Sequence, residues 1–182
     1  MKVRLIAGKY GGRIIDGSGT GRTHPMSERI RNAMFNKIGT EVQGARVLDA
    51  FAGSGAIGLE ALSRGAAHAT FIERDKIAAK IIEANLDLVK AGETANLVRA
   101  SVSSWVDTYK GEPFDLIIAD PPYNDVQLST VFRLLGLLTS NGLMVLSYPG
   151  RGEAPTANGV VVVDNRSYGT AALAYYRLKG SA

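Results

Sequence analysis

The chain has 182 residues, close to the length of one domain, and its 46% hydrophobic and 21% charged residues are typical of a globular protein rather than a disordered one. It contains no cysteine, which excludes a disulfide framework, a thiolate zinc site and a cysteine nucleophile. No apolar run approaches the roughly 18 residues of a membrane span, and residues 1–13 lack the apolar stretch of a secretory signal. We therefore expect a single-domain cytoplasmic protein without a membrane segment.

Positive charge is concentrated at the N-terminus. Up to position 38 there are eight Lys and Arg residues and two acidic ones, whereas the remainder carries 13 basic and 15 acidic residues. A basic arm on a near-neutral body is typical of proteins that bind a polyphosphate such as a nucleic acid. The alternative is an ordinary solvated surface, and charge alone does not decide between the two.

The first 39 residues predict a hairpin followed by a helix. Apolar stretches at residues 3–6 and 13–15 flank three glycines, which is the pattern of two strands joined by a glycine turn. Residues 17–21 predict a flexible link. Ser27 can cap a helix that Gly39 ends, and one face of this helix carries Ile30, Met34, Phe35 and Ile38.

From residue 46 the pattern alternates between strand and helix. Strands are predicted at 47–50, 69–72, 96–98, 114–119 and 143–146, and helices at 57–63, 76–90 and 126–138. Several of the strands are continuous apolar runs, as expected where helices cover both faces of a sheet. We therefore expect an α/β fold with a doubly wound, mostly parallel sheet. The segments 160–163 and 172–176 are joined by too few residues for a crossover helix, so this last pair should be antiparallel.

A glycine loop follows the first strand of the α/β part. Gly53, Gly55 and Gly58 have the G-x-G-x-x-G spacing, and Glu73 directly follows the next strand. Gly53 and Gly55 let the backbone turn tightly and approach a ligand, whereas Gly58 allows close helix packing. Glu73 can accept hydrogen bonds from ribose hydroxyls. The order of strand, loop, helix, strand and acid predicts a nucleoside-containing ligand, and the alternative is a glycine turn with no ligand.

The loop alone does not identify the nucleoside, because a nicotinamide dinucleotide and S-adenosylmethionine both carry an adenine and a ribose diol. Asp49 ends the preceding strand, four residues before Gly53. A carboxylate there would repel a pyrophosphate at the helix N-terminus but suits the ammonium group of a methionine moiety. This favours S-adenosylmethionine, and the alternative role for Asp49 is a helix or loop cap.

A second motif, Asp120-Pro121-Pro122-Tyr123, follows the strand at 114–119, and α/β folds bind ligands at the carboxyl ends of their strands. An exocyclic amine on a nucleobase is a poor nucleophile, because its lone pair is delocalised into the ring. Asp120 and the carbonyl of Pro121 can accept its N–H bonds, and the prolines keep the turn rigid. Tyr123 offers a flat face for an extruded base. The turn predicts chemistry on an amine, and the alternative is a stiff turn whose tyrosine merely packs.

Together these residues resemble a known family. Residues 49–55, Glu73 and residues 120–123 are similar to the motifs of class I S-adenosylmethionine-dependent amino-methyltransferases. Three further segments, RLIAGKYGGR at 4–13, PMSERIRNAMFN at 25–36 and LEALSRGA at 59–66, resemble more narrowly the RsmD family of bacterial 16S rRNA guanine-N2 methyltransferases. The resemblance implies a basic hairpin and link at 1–24 that contacts RNA. It implies a Rossmann-like methyltransferase domain at 25–182, with a seven-stranded sheet and an antiparallel last strand.

The same resemblance implies roles for individual residues. The expected S-adenosylmethionine-binding residues are Asp49, Phe51, Gly53, Ser54, Gly55, Glu73, Arg74 and Ser101, with Glu73 on the ribose and Ser101 beside the adenine. The target guanine, flipped out of the RNA, would lie among Asp120, Pro121, Pro122 and Tyr123. Contacts to 16S rRNA, or to an assembling small ribosomal subunit, would come from Lys2, Arg4, Lys9, Arg13 and Arg29. No metal is implied, and a monomer is expected.

One departure from the family and several alternatives stay open. The usual Arg-Pro-Thr reads His24-Pro25-Met26 here, which puts a cationic contact in question, and no paired acid suggests a catalytic role for His24. A nicotinamide-dependent oxidoreductase would share the glycine loop but gives no reason for the Asp120 turn, and a non-catalytic RNA-binding module would share only the basic arm. DNA adenine and protein glutamine methyltransferases use a similar proline turn. Asp rather than Asn at position 120, the basic hairpin and the lack of a separate recognition domain favour RNA.

Overall fold

The computed structural model describes residues 1–18, 25–150 and 153–180. Most of the predicted link, and His24 with it, lies outside these ranges. The strands are β1 (Lys2–Arg4), β2 (Ile14–Asp16), β3 (Arg46–Ala50), β4 (His68–Ile72), β5 (Ala95–Val98), β6 (Phe114–Ala119), β7 (Leu138–Pro149), β8 (Val160–Ser167) and β9 (Ala171–Leu178). The helices are α1 (Glu28–Ile38), α2 (Ala56–Ser63), α3 (Lys76–Leu88), α4 (Val102–Thr108) and α5 (Leu128–Leu134). Short 3₁₀ turns follow at Gly39–Val42, Gly92–Thr94 and Leu135–Leu137.

The main sheet has seven strands in the order β5-β4-β3-β6-β7-β9-β8. The five neighbouring strands β5, β4, β3, β6 and β7 pair in parallel, and β9 runs antiparallel to both β7 and β8. The predicted doubly wound sheet with an antiparallel last strand is therefore confirmed. The strand order reverses between β3 and β6, and ligands of open α/β sheets bind in the crevice at such a switch point.

Helices cover both faces of this sheet, and the strand sequences show why. In β6, Leu116 and Ile118 belong to the apolar cluster on one face, and Ile117 belongs to the cluster on the other. All three are at most 1% exposed. Helices α1, α2 and α3 pack on the first face, whereas α4 and α5 pack on the second. No helix in the described parts of the chain combines the length and apolar character needed to cross a membrane.

The N-terminal hairpin of β1 and β2 packs directly on α2. Glu60 of α2 accepts hydrogen bonds from the backbone N–H groups of Ile6 at 2.8 Å and Ala7 at 3.1 Å. Gly8 has a φ of +82°, and a Cβ there would lie 1.8 Å from the carbonyl oxygen of Ser63. Only a glycine fits this close approach, so the hairpin and the body share one packed interface.

Several element boundaries differ from the predicted ones. The predicted helix at 126–138 is shorter, because the left-handed Gln127 (φ +55°) precedes its first turn and a 3₁₀ turn follows Leu134. Helix α3 ends at Leu88 rather than at residue 90, where Lys90 adopts φ +56°. Strand β7 is longer than predicted, since a register shift lets Leu138 as well as residues 143–146 pair with β6. Helix α4 was not predicted at all.

Candidate active site

A cavity of about 740 Å³ opens at the carboxyl ends of β3, β4 and β6. The sequence-predicted residues on its wall are Phe51, Gly53, Ser54, Glu73, Arg74, Ser101, Asp120, Pro121, Pro122 and Tyr123. Ser18, Pro25, Met26 and Arg31 complete the wall from the N-terminal side. The glycine loop and the proline turn, about 65 residues apart in sequence, therefore share one cavity, and its volume is in the range of small-molecule sites.

The glycine loop depends on left-handed backbone conformations. Gly53 has a φ of +60° and Gly55 one of +83°, and Phe51 adopts φ +59° although it is not a glycine. Such a conformation costs a non-glycine residue about 1–3 kcal/mol and is typical of functional sites. A Cβ at Gly58 would lie 2.3 Å from a ring carbon of Phe71 in β4. The third glycine thus allows the close packing of α2 on the sheet that the spacing predicts.

Glu73 fixes the loop from the neighbouring strand end. Its Oε1 accepts a hydrogen bond from the N–H of Gly53 at 2.8 Å, and its Oε2 accepts one from Asp75, also at 2.8 Å. Burial raises the pKa of Glu73, while these N–H groups act in the opposite direction. Each carboxylate oxygen can accept a second hydrogen bond. The carboxylate can therefore hold the loop and bind ribose hydroxyls at the same time.

Asp49 is buried behind the loop, with 1% of its surface exposed. Its Oδ2 accepts a hydrogen bond from the N–H of Gly58 at 2.9 Å, so it does cap the first turn of α2. Its Oδ1 has no partner among the described residues. Burial raises the pKa of Asp49 well above its usual value, and the charges of Asp120 and Glu73 add to this. Of the predicted cofactor residues in the described chain, Asp49 and Gly55 do not reach the cavity wall.

The proline turn is tied to the adjacent strand by a residue that the sequence analysis missed. Burial raises the pKa of Asp120 to about 7, and a hydrogen bond with the Ser147 hydroxyl acts in the opposite direction. The Ser147 Oγ also lies 2.8 Å from the Tyr123 hydroxyl oxygen. Ser147 is buried in β7, directly after the apolar run at 143–146. The sequence does offer a signal for it, because Ser147 directly follows the predicted strand at 143–146.

Ser101 is the N-cap residue of helix α4. Its Oγ accepts a hydrogen bond from the N–H of Ser104 at 3.2 Å, which caps α4, and donates to the Ser104 Oγ at 2.9 Å. Ser101 lies on the cavity wall together with Arg74. The contact of Ser101 with an adenine stays a prediction.

The five cations predicted to contact RNA differ in their surroundings. Two are paired within the chain, Lys2 with Asp16 and Arg4 with Glu28. Arg13 donates to the carbonyl oxygen of Leu88 at 2.8 Å, and Lys9 and Arg29 lie over the rings of Tyr10 and Tyr168. Within the described part of the chain, Lys9, Arg13 and Arg29 form no ion pair. Their charge is available to a polyanion, whereas that of Lys2 and Arg4 is partly neutralised.

The residues present fit S-adenosylmethionine. Asp49 does not reach the cavity wall, but its buried, unpartnered Oδ1 lies behind the loop, where its charge favours a cationic group nearby. Glu73 keeps acceptor positions for a ribose diol. A Cβ at Gly53 would meet nothing within 4 Å, so this part of the loop faces open space. Across the described residues, no group of three or more His, Asp or Glu side chains is arranged to hold a metal ion.

The chain matches a known protein family over most of its length. The family model described as conserved hypothetical protein 95 matches residues 3–177. The chain is 35% identical over 158 residues to ribosomal RNA small subunit methyltransferase D of Escherichia coli. The aligned region covers 85% of this chain and 79% of that protein. It is 31% identical over 184 residues to YlbH of Bacillus subtilis, covering 98% of this chain and 100% of that one. The solved structure of Escherichia coli yhhF has a TM-score of 0.87 at 31% identity and covers 98% of both chains.

Proposed function

Since this chain belongs to the family of ribosomal RNA small subunit methyltransferase D, we propose that it transfers a methyl group from S-adenosylmethionine to the exocyclic N2 amine of a guanine in 16S rRNA. The observation that carries the proposal is that the glycine loop, Glu73 and the Asp120 turn line one cavity. The glycine loop and Glu73 suit a nucleoside cofactor, and the Asp120 turn suits a flat base with an amine. An RNA base reaches such a pocket only when it is flipped out of its stack.

S-adenosylmethionine supplies a methyl group on a positively charged sulfur, which is an activated leaving group. Glu73 binds the ribose hydroxyls through the acceptor positions left free by Gly53 and Asp75. The free Oδ1 of Asp49 favours the ammonium end, because a nearby positive charge offsets the cost of a buried carboxylate. The left-handed glycines let the backbone approach the ligand closely.

At the proline turn, Asp120 and the carbonyl oxygen of Pro121 accept the two N–H bonds of the guanine amine. Pro121 and Pro122 offer no backbone N–H that would compete with the amine as a donor. The ring of Tyr123, held at its hydroxyl by Ser147, forms the surface on which the base stacks. These residues would accelerate the reaction by positioning and by excluding water rather than by strong base catalysis. As the bond from N2 to the methyl carbon forms and the bond from that carbon to sulfur breaks, the amine loses a proton to Asp120 or to water.

Substrate binding rests on the basic N-terminal part of the chain. Lys9, Arg13 and Arg29 lie outside the cavity wall with their charges free of carboxylate partners in the described structure. Phosphate contacts from such cations position an RNA without reading its sequence. The substrate is 16S rRNA, either alone or in an assembling small subunit.

Methyl transfer tests the proposal directly. The protein is incubated with labelled S-adenosylmethionine and small-subunit rRNA or subunits, and the nucleosides are identified by mass spectrometry. N2-methylguanosine is expected. Asp120→Ala should reduce transfer by about 100-fold or more, the usual loss when a group that acts in the transition state is removed, while calorimetric binding of S-adenosylmethionine stays unchanged.

Asp115→Ala is the matched control, since Asp115 is an exposed carboxylate on the same strand, near its opposite end. Its transfer rate should stay within about twofold of the parent, as expected for a surface substitution. N6-methyladenosine as the product would assign the pocket to adenine instead. Binding of S-adenosylmethionine without transfer to any of these RNAs would refute the proposed reaction.

A further inference from the structure

Ser147 occupies the point where the proline turn meets the neighbouring strand. The parallel register of β6 and β7 sets Ala119 opposite Leu146, so the next residues along the two strands, Asp120 and Ser147, are neighbours. Ser147 is 1% exposed, and its Oγ lies 2.8 Å from the hydroxyl oxygen of Tyr123. One buried hydroxyl group thus lies between the two side chains proposed to hold the base.

The hydrogens available to these three groups determine the direction of the hydrogen bonds. An ionised carboxylate can only accept, whereas each hydroxyl carries one hydrogen and can also accept. If Ser147 donated to Tyr123, the Asp120 carboxylate would lose the hydrogen bond that opposes the rise in its pKa. The satisfied arrangement has Tyr123 donating to Ser147 and Ser147 donating to Asp120.

We propose that Ser147 is a positioning residue for methyl transfer, which fixes the Tyr123 ring and holds the Asp120 carboxylate in its acceptor form. This inference rests on the proposed function for its substrate, since it assigns to Ser147 a role in presenting the guanine amine. Ser147 does not line the cavity in the described structure, so it acts through its two neighbours rather than on the base.

The acid–base state of Asp120 gives this role a measurable consequence. Burial raises the pKa of Asp120 to about 7, and the hydrogen bond with Ser147 opposes that rise. A protonated Asp120 would carry a donor where the amine needs an acceptor. The other titratable side chains on the cavity wall are Tyr123 and Asp125 after β6, Glu73, Arg74 and Asp75 after β4, and Arg31 of α1. Asp49 of β3 interacts electrostatically with Asp120 from behind the loop. Changing Ser147 alters none of these groups chemically, and of them Tyr123 loses its hydrogen bond to Ser147.

The first measurement needs neither RNA nor activity. The protein labelled with ¹³C at the aspartate carboxyl carbon is titrated by NMR, and Asp120→Asn identifies the Asp120 signal. Ser147→Ala should raise the midpoint by about one pH unit, the shift that loss of a typical hydrogen bond produces. Ser147→Thr keeps the hydroxyl and should titrate like the parent. Tyr123→Phe keeps the bond from Ser147 to Asp120 and should shift the midpoint less than Ser147→Ala.

The second measurement is the pH profile of methyl transfer. The rate rises with pH as Asp120 ionises. Ser147→Ala should therefore shift the acid limb of the kcat/KM profile to higher pH, by the same one unit as the Asp120 midpoint. This corresponds to a roughly tenfold loss below pH 6, and threonine should restore the parent profile. An unchanged Asp120 titration in Ser147→Ala, or a failure of threonine to restore it, would overturn the inference. A shifted titration in a protein that methylates no RNA would support the bond from Ser147 to Asp120 and refute the proposed function instead.

Discussion

Replacing Glu60 with glutamine tests how the N-terminal hairpin is held on the body. The Glu60 side chain is fully buried in α2, where it accepts hydrogen bonds from the N–H groups of Ile6 and Ala7. It also accepts one from Arg64 Nε at 2.9 Å, and Arg31 Nε lies 3.6 Å away. Glutamine keeps the shape but removes the negative charge, and it replaces one acceptor oxygen with a donor nitrogen.

The structure indicates a large effect on the free energy of unfolding. The Arg31 side chain is only 2% exposed, and its burial lowers its pKa while Glu60 opposes that change. Removing one partner of a buried ion pair leaves the other charge uncompensated and costs about 3–5 kcal/mol. This is a substantial share of the roughly 5–15 kcal/mol by which a folded domain is stable. In Glu41→Gln, the exposed pair with Arg177 is lost instead, and we expect less than about 1 kcal/mol.

Urea unfolding of the parent, Glu60→Gln and Glu41→Gln measures the difference in stability. Amide exchange at Ile6 and Ala7 then localises it. These two N–H groups donate to different oxygens of Glu60, so in Glu60→Gln one of them faces a donor nitrogen and should exchange faster. RNA affinity should fall in Glu60→Gln, because the hairpin carries Lys9 and Arg13. If Glu60→Gln were no less stable than Glu41→Gln, the buried carboxylate would not be what holds the hairpin.

Two further substitutions test packing and charge. Gly58→Ala should destabilise the protein by about 1–3 kcal/mol, because its Cβ would lie 2.3 Å from an aromatic carbon of β4. Gly136→Ala is the control, since a Cβ there would have nothing within 4 Å. Thermal melts should show no change for it. An equal loss in both variants would contradict the packing argument. Lys9→Ala with Arg13→Ala should reduce the slope of log affinity for rRNA against log salt by about 1.4 units, or 0.7 per phosphate contact on single strands. Filter binding at several salt concentrations measures this slope, and an unchanged slope would refute the RNA contacts of Lys9 and Arg13. An equal or larger reduction on changing Lys2 and Arg4 would contradict the argument that their ion pairs weaken their contribution.

The parts of the fold that follow from local pattern could be predicted from the sequence. Ser27 caps α1 through a hydrogen bond to the N–H of Ile30, and Gly39 ends it with a φ of +61°, as the sequence predicts. The apolar run at 114–119 is a central strand buried on both faces, and the short connection before residue 171 forces an antiparallel pair. The meeting of the glycine loop and the proline turn also follows from pattern, because carboxyl ends of parallel strands share one edge of a sheet.

Other features depend on partners far away along the chain. Helix α4 has only seven residues, and no apolar periodicity distinguishes so short a segment from a loop. Glu60 and Ser147 are buried polar residues that bond to distant parts of the chain. Glu60 accepts from Ile6, 54 positions away, and Ser147 bonds to Tyr123, 24 positions away. The neighbouring sequence does not show which backbone group or hydroxyl will be the hydrogen-bond partner of such a residue. The predicted end of α3 was wrong for a related reason, since nothing in the pattern requires Lys90 to be left-handed.

Asn85 shows how such residues join the parts of the site. Its side-chain nitrogen donates to the carbonyl oxygen of Asp16 at 2.9 Å and to that of Ser54 at 3.0 Å, and its oxygen accepts from the Asp16 N–H. One side chain of α3 therefore connects the end of the hairpin to the glycine loop. Apolar packing tolerates small shifts, whereas a hydrogen-bonded contact of this kind is satisfied in only a narrow range of geometries. The hairpin proposed to hold RNA and the loop proposed to hold the cofactor are thus kept in one relative position by directional bonds, as transfer between two bound molecules requires.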